Sequence, residues 1–366
     1  MTDDELYMRQ ALNLARKGLG KTSPNPMVGA VIVKGNRVVA RGYHHALGKD
    51  HAEVDAIKNA RGSVAGATMY VTLEPCRHYG QTPPCTDAII KHKIARVVIG
   101  TLDPDPRMNG ESVRLLNENG IKTAVGVLES DCRALNEKYI KHRSAGIPFV
   151  TLKWAQTLDG RIATAKGSSR WIASPESLQL AHELRTVNDA ILVGVGTVVK
   201  DNPELTTRLV KGRNPLRVVL DSTLRIPLKS NVLQNQSAAK TLVIASTEAD
   251  KHEFAALEKM GIEVIITPPD SRGRVDLPRM LKALGGRGVT SLLVEGGGEV
   301  ITSFLRLNLV DRFVVIISPK ILGKGTDAVG DLHISDLAKA RIFAFDKVYK
   351  SGVDVVFEGK RSNLSS

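Results

Sequence analysis

A helix-stop signal near the middle of the chain, Ser144-Ala145-Gly146-Ile147-Pro148, most constrains what this sequence can fold into, because an apolar strand pattern restarts directly after it. At 366 residues the chain exceeds the size at which one hydrophobic core keeps growing. The stop is therefore read as a boundary between domains spanning 1–146 and 147–366. Before it, Leu12, Ala15 and Leu19 recur at helical spacing, and strands over 28–33 and 38–41 flank the turn Lys34-Gly35-Asn36. Helices are expected to begin near His51 and Cys85, strands over 68–73 and 96–100, and one helix over 129–143. After the stop, strands are expected over 149–154, 216–220, 241–245, 263–266, 291–294 and 312–317, with a final hairpin around Gly352. Strands alternating with helices make both halves α/β. The tail 361–366 has the composition of a disordered end.

Charge narrows the partners. The formal net charge is +13, from 51 basic and 38 acidic residues. It divides evenly: residues 1–146 carry 21 basic and 15 acidic residues (+6), and the remainder carry 30 and 23 (+7). Small anionic substrates suit that distribution better than a nucleic acid, which favours a concentrated patch. The acidic start Met1-Thr2-Asp3-Asp4-Glu5 has no signal-peptide run, and no stretch of eighteen apolar residues occurs, so a cytoplasmic location without membrane contact is expected. Three cysteines, Cys76, Cys85 and Cys132, cannot all pair among themselves, which makes metal ligation the better question.

The strongest motif answers it. His51-Ala52-Glu53 is followed by Pro75-Cys76 and, after eight residues, by Cys85 behind Pro84. One imidazole and two thiolates form a zinc tripod with a fourth tetrahedral position left for water. Helix starts expected after both prolines would favour the thiolates. Glu53 is the spare carboxylate, placed to take a proton from that water and pass it to a leaving amine, the division of labour found in base deaminases. A structural zinc site closed by His78 or Cys132 is the competing reading.

These residues, with the stretch Pro75-Cys76-Arg77-His78-Tyr79-Gly80-Gln81-Thr82-Pro83-Pro84-Cys85, resemble the deaminase half of the bifunctional riboflavin-biosynthesis deaminase/reductases. The resemblance extends to Pro24-Asn25-Pro26, Gly42-Tyr43-His44 and Asp103-Pro104-Asp105-Pro106. It implies a cytidine-deaminase-like layered domain with Asn25, His44 and Asp103 on the substrate. Two positions depart from the pattern, Gln81 in place of a basic residue and Asp105 in place of Asn, and both changes should weaken phosphate binding.

In the second half, Glu295-Gly296-Gly297-Gly298 reads as a glycine turn between a strand and a helix, suited to a pyrophosphate without being the Rossmann fingerprint. Together with Leu158-Asp159-Gly160-Arg161, Val193-Gly194-Val195-Gly196-Thr197 and Asp201-Asn202-Pro203-Glu204-Leu205-Thr206-Thr207-Arg208, it resembles the reductase half of the same enzymes, a dihydrofolate-reductase-like domain using NADPH. The resemblance assigns Ala155, Trp171, Thr197, Asp201, Ser222, Gly297, Gly298, Glu299, Val300, Ile301, Thr302 and Ser303 to the cofactor. It assigns Ser169, Arg185, Leu205, Arg208 and Glu295 to the substrate. Lys153 joins the latter set, because a lysine in an apolar strand needs a partner, and a substrate oxygen or Asp201 would supply one. Asp221 fits a ribose hydroxyl, whereas Ser222, Thr223 and Arg225 fit a 2′-phosphate.

The expected activity is zinc-dependent removal of the 2-amino group of a diaminopyrimidinone ribosylamino phosphate, followed by NADPH reduction of the ribosyl chain to ribityl by a homo-oligomer. A transfer-RNA or nucleoside deaminase with an accessory domain is the alternative, and a non-catalytic zinc-stabilised module is a third reading.

Overall fold

The computed structural model describes residues 1–79, 83–106 and 108–361. Gln81 and the tail 362–366 lie outside the described residues; Arg361 itself closes a strand. The chain divides into two compact units, Met1–Gly146 and Ile147–Ser366.

The first unit holds α1 (Asp3–Ala15), β1 (Gly29–Lys34), β2 (Arg37–Tyr43), α2 (Ala52–Lys58), β3 (Thr68–Val71), α3 (Cys85–Lys91), β4 (Arg96–Ile99), α4 (Glu111–Glu118), β5 (Lys122–Val125), α5 (Glu129–Leu135) and α6 (Glu137–Ala145). Its five-stranded sheet runs β2-β1-β3-β4-β5, with β1 antiparallel to β2 and β3, and β3, β4 and β5 parallel. Period-two alternation splits the strands between two cores. Ala30, Ile32, Met69, Val71, Val97 and Ile99 pack with Ala52, Ala56, Ile89 and Leu116, whereas Val31, Val33, Tyr70 and Val98 pack with Met8, Ala11, Leu12 and Cys132. The sheet is thus covered by α2, α3 and α4 on one face and by α1 and α5 on the other. Gly29 lets α1 approach closely, since a Cβ there would overlap the Ala11 carbonyl.

Helix α1 starts in a capping box, Thr2 Oγ1 accepting from Glu5 N (3.3 Å) and Glu5 Oε2 accepting from Thr2 N (2.9 Å). It ends at Ala15, so Leu19 lies beyond it and is exposed, contrary to the periodic reading. The single helix expected over 129–143 is two helices. Asn136 interrupts it, its side chain accepting from Met27 N (2.8 Å) and donating to Met27 O (2.9 Å).

The second unit contains β6 (Phe149–Thr157), β7 (Arg161–Thr164), α7 (Pro175–Thr186), β8 (Ala190–Gly194), α8 (Val195–Asp201), β9 (Leu216–Leu220), β10 (Thr241–Ser246), α9 (Lys251–Lys259), β11 (Glu263–Thr267), α10 (Leu277–Gly286), β12 (Ser291–Val294), α11 (Gly298–Arg306), β13 (Arg312–Ser318), β14 (Gly325–Asp327), β15 (Phe343–Ser351) and β16 (Asp354–Arg361). Nine strands run β11-β10-β9-β8-β12-β6-β13-β16-β15, the first seven parallel and the last two forming the expected hairpin. Alternation again separates the faces, with Leu152, Leu192, Val218, Ile244 and Val294 in one core and Ile191, Val193, Val219 and Val243 in the other. Because seven strands are parallel, the residues just past β6, β8, β9 and β12 gather along one edge of the sheet, where ligands of such folds bind. Among the described residues, no helix is long and apolar enough to cross a membrane.

Candidate active sites

In the first unit, the connection into α2 presents His51 as its N-cap, with Glu53 in the first turn. Pro84 caps α3, so Cys85 opens that helix as expected. Cys76 differs: it stands in a loop with no helix after it, and takes its amide from the other cysteine, Cys85 N donating to Cys76 Sγ (3.3 Å). His51 Nδ1 lies 3.4 Å from Cys76 Sγ and 3.3 Å from Cys85 Sγ. All three ligand atoms fall within 4.8 Å of one another.

This donor set fits zinc. The two thiols compete for protons: the hydrogen bond with Cys85 lowers Cys76 to about 4 against the effect of burial, while Cys85 is pushed well up. His51 is raised to about 8, chiefly by its hydrogen bond to Cys76. A divalent cation would replace the proton shared among these ligands. The closing ligands of the structural-zinc reading are elsewhere, since His78 Nδ1 contacts Met108 Sδ (3.4 Å) and Cys132 is buried in the core on the α1 face. The tripod is open.

Glu53 is 3% exposed, in contact with Cys85, and raised to about 7 by burial and by the charge at Cys76, with His51 opposing. A cation on the tripod would draw that value down. The tripod and Glu53 line a cavity of about 330 Å³. Asn25 and His44 line it too, joined by a 3.3 Å contact between Asn25 Nδ2 and His44 Nε2, with His44 Nδ1 on the Asp50 carbonyl (3.0 Å). His44 also packs edge-on against His51, ring centroids 5.4 Å apart. Asp103 completes the expected trio and accepts from Tyr139 OH (3.0 Å) and Asp105 N (2.9 Å).

Sequence reasoning missed several lining residues: Lys49, Glu74, Tyr139 and Arg143. Tyr139 and Arg143 are four apart on α6, a spacing that could have flagged them. Glu74 is a buried carboxylate that accepts from Asp103 N (3.1 Å), Gly110 N (3.0 Å) and Ser112 N (3.0 Å), and so anchors the loop carrying Asp103. Asp105 is buried and paired with Arg143 (3.4 Å), so its charge is compensated rather than left facing a phosphate.

In the second unit, the parallel pairing of β6 with β12 brings Lys153, in the middle of β6, beside Glu295, just past the end of β12. Arg185 of α7 donates to Glu295 through Nε (2.9 Å) and Nη2 (3.0 Å), and through Nη1 to the Thr206 carbonyl (3.0 Å). Lys153 Nζ lies 3.6 Å from Glu295 Oε2, so its partner is Glu295 and not Asp201. Burial alone would raise Glu295, but Arg185 and Lys153 bring it down to about 2. Asp201 instead accepts from Ser169 Oγ (3.3 Å). Leu205 is buried, while Arg208 is half-exposed and pairs with Glu204 (2.8 Å).

The glycine turn suits a diphosphate. Gly297 is the N-cap of α11 without any side-chain cap, and a Cβ at Gly298 would press on the Asp327 carbonyl. Thr197 Oγ1 stands 3.4 Å from where a Gly297 Cβ would be, so α8 meets the turn. Thr302 Oγ1 and Ser303 Oγ bond back to the carbonyls of Gly298 (2.6 Å) and Glu299 (2.8 Å). Val300 packs partly, and Ile301 fully, into the core, and the Ile301 N–H is held by the Gly297 carbonyl (3.1 Å). Trp171 is 66% exposed, its carbonyl held by Lys320 Nζ (2.6 Å), and Ala155 lies half-buried on β6. Ser222 Oγ accepts from Val275 N (3.1 Å). Asp221 is turned inward, 1% exposed, accepting from Ile226 N (2.7 Å), and is not offered to a ribose hydroxyl.

An open tripod beside a buried carboxylate on one α/β unit, and a glycine turn at a parallel sheet edge on another, fit a zinc-dependent deaminase joined to a nicotinamide-dependent reductase. Residues 1–101 match the cytidine and deoxycytidylate deaminase zinc-binding region, and residues 148–357 match the RibD C-terminal domain. The riboflavin biosynthesis protein RibD of Aquifex aeolicus is 47% identical over 359 residues, covering 98% of each chain, and that of Escherichia coli is 37% identical over 366 residues, covering 96% of this chain and 98% of that one. Among solved structures, a diaminohydroxyphosphoribosylaminopyrimidine deaminase/5-amino-6-(5-phosphoribosylamino)uracil reductase from Thermotoga maritima superposes with a TM-score of 0.86 at 39% identity, covering 98% of this chain and 99% of that one. Acinetobacter baumannii RibD gives 0.89 at 32% identity, covering 99% of both.

The chain belongs to the RibD family of riboflavin biosynthesis, bifunctional enzymes that join a zinc-binding deaminase of the cytidine deaminase class to a reductase of dihydrofolate-reductase-like fold and NADPH-using type. An accessory domain on a transfer-RNA deaminase is not favoured, because the second half matches a reductase of this family.

Proposed function

We propose that residues 1–146 hydrolytically deaminate 2,5-diamino-6-ribosylamino-4(3H)-pyrimidinone 5′-phosphate and that residues 147–366 reduce the ribosyl group of the product. The observation that carries this reading is the open His51–Cys76–Cys85 tripod with Glu53 buried against it in a cavity of about 330 Å³. Zinc, when bound, supplies the Lewis acidity that makes water nucleophilic at neutral pH, and NADPH supplies hydride. The chain does the rest. Glu53 takes a proton at its carboxylate and delivers it to the departing amine, a task suited by its burial beside the ligands at the cavity wall. Asn25 and His44 bind the polar edge of the pyrimidine. Asp103, fixed by Tyr139 and by the loop that Glu74 anchors, binds the ribose, and Lys49 supplies the positive charge for the phosphate.

In the reductase, Arg208 and Arg185 bind the sugar phosphate, while Lys153, Ser169, Leu205 and Glu295 orient the ribosyl group. Ala155, Trp171, Thr197, Asp201, Ser222 and the segment 297–303 hold the cofactor. The inward Asp221 and the exposed Thr223 and Arg225 beside Ser222 support a 2′-phosphate over a free ribose hydroxyl. Free thiols at Cys76 and Cys85 suit a reducing cytoplasm. Association as a homo-oligomer is supported by edge strand β15, which exposes Phe345 and Val348.

A coupled assay tests the whole reading: with the diaminopyrimidine substrate the protein should release ammonia and then consume NADPH. NADPH consumption without ammonia release, or ammonia release from cytidine alone, would overturn it.

A further inference from the structure

We propose that His182 is a positioning residue of the reductase, aiming the Arg208 segment at the substrate phosphate by accepting the Arg208 backbone N–H at Nδ1. The proposal rests on the role given to Arg208 above.

His182 lies on α7, one turn before Arg185, and is 6% exposed. Its Nδ1 is 2.9 Å from Arg208 N and 3.5 Å from Leu209 N. An imidazole nitrogen that accepts from an amide carries no proton, so the ring is neutral with its hydrogen on Nε2. The surroundings enforce that state. Burial, then Arg185 and Arg208, then Lys153, lower His182 to about 4, with Glu295 opposing. A histidine facing three cations is of little use as a base or a charge here, but it remains an acceptor throughout the neutral range.

The segment it holds needs holding. Leu205 adopts φ +57°, a left-handed conformation unusual for leucine. The following residues are tied from two sides: Thr207 N and Oγ1 bond to Asn214 Oδ1 (2.7 Å) and the Arg213 carbonyl (3.1 Å), whereas α7 grips Thr206 O through Arg185 and Arg208 N through His182. His182 and Arg185, three residues apart, lie on one helix face, so a single rigid helix sets both the carbonyl and the amide of this segment. The Arg208 guanidinium bonds to Glu204 (2.8 Å) and Thr206 Oγ1 (3.2 Å) of its own segment. Its direction therefore follows from where the backbone is pinned, and His182 is the pin at Arg208 itself.

The test compares two variants of similar volume and polarity. In His182→Asn the side-chain oxygen occupies the position of Nδ1; in His182→Gln it sits one methylene further out, near Nε2. With 5-amino-6-(5-phosphoribosylamino)uracil as substrate, His182→Gln should raise the reductase KM roughly tenfold and His182→Asn by less than about threefold, both with kcat near wild type, since a positioned binding group is lost without touching the hydride step. The fluorescence midpoint in denaturant of Trp154 and Trp171, both in the second unit, serves as the control for its folding. Equal KM values for the two variants, or a loss confined to kcat, would overturn the proposal. Arg208→Ala separates the two levels: if it raises KM while His182→Gln does not, His182 alone is misassigned, and if it leaves KM unchanged, the phosphate role of Arg208 fails and the proposal with it.

Discussion

The two candidate sites are prepared for their ligands in opposite ways. In the first unit the ligating and cavity-lining groups converge on an open space: His51, Cys76 and Cys85 share protons that a cation would displace, and Glu53 waits buried beside them. In the second, the groups assigned to the substrate are already bonded to each other, with Glu295 clasped by Arg185 and approached by Lys153. The first site stores its chemistry in groups held away from their ordinary protonation states, while the second stores orientation in a satisfied network. Loss of a residue should therefore cost chemistry in one and binding or stability in the other.

The largest expected effect is in the deaminase. Glu53→Gln should keep one zinc per chain yet reduce ammonia release by ~10²–10⁴-fold, because the ligands remain and the proton carrier is gone. Near-normal ammonia release would break the contrast at its root.

In the reductase, Arg185→Ala strips the bidentate partner from a buried carboxylate and should destabilise the second unit by about 3–5 kcal/mol, seen as a lower midpoint in denaturant. Both tryptophans, Trp154 and Trp171, lie in that unit, so their fluorescence reports on it alone. Arg208 is half-exposed and paired within its own segment, so Arg208→Ala should leave that midpoint nearly unchanged and raise the KM by about tenfold, the scale of one charge-assisted hydrogen bond. Equal midpoints for the two variants would show that the Glu295 network carries no stability.

The smallest effect concerns pH. Glu295 is held at about 2 against an ordinary 4.5, so the stability it contributes is present above about 4.5 and is lost as pH falls toward 2. Tryptophan-detected stability should fall across that window, and Glu295→Gln should flatten the decline. Stability rising on acidification would contradict the assignment.

What was legible in the sequence follows the same division. A metal tripod announces itself by residue type, and His51, Cys76 and Cys85 with Glu53 were readable because the chemistry admits few other side chains. Strand alternation was equally plain in the long parallel strands of the second unit. Long-range polar bonds were not. The break between α5 and α6 depends on Asn136 reaching Met27, 109 residues away, and no local pattern carries that. Lys153 was recognised as needing a partner, but the partner sits in the turn after β12, and only the parallel pairing of β12 with β6 brings it near. The helix expected at Cys76 failed because a preceding proline permits a helix start without requiring one; Cys76 gains its amide from the start of α3 instead.

The central claim is that one chain holds two chemically independent sites, and chelation of the metal tests it most directly. All proposed zinc ligands and Glu53 precede residue 86, and every proposed cofactor contact follows residue 150. Removing zinc from the intact protein and supplying each substrate separately should abolish ammonia release while NADPH oxidation with the already deaminated intermediate continues at its original rate, the tryptophan signal confirming that the second unit stays folded. Loss of both activities from a chain whose second unit remains folded and binds NADPH would contradict it.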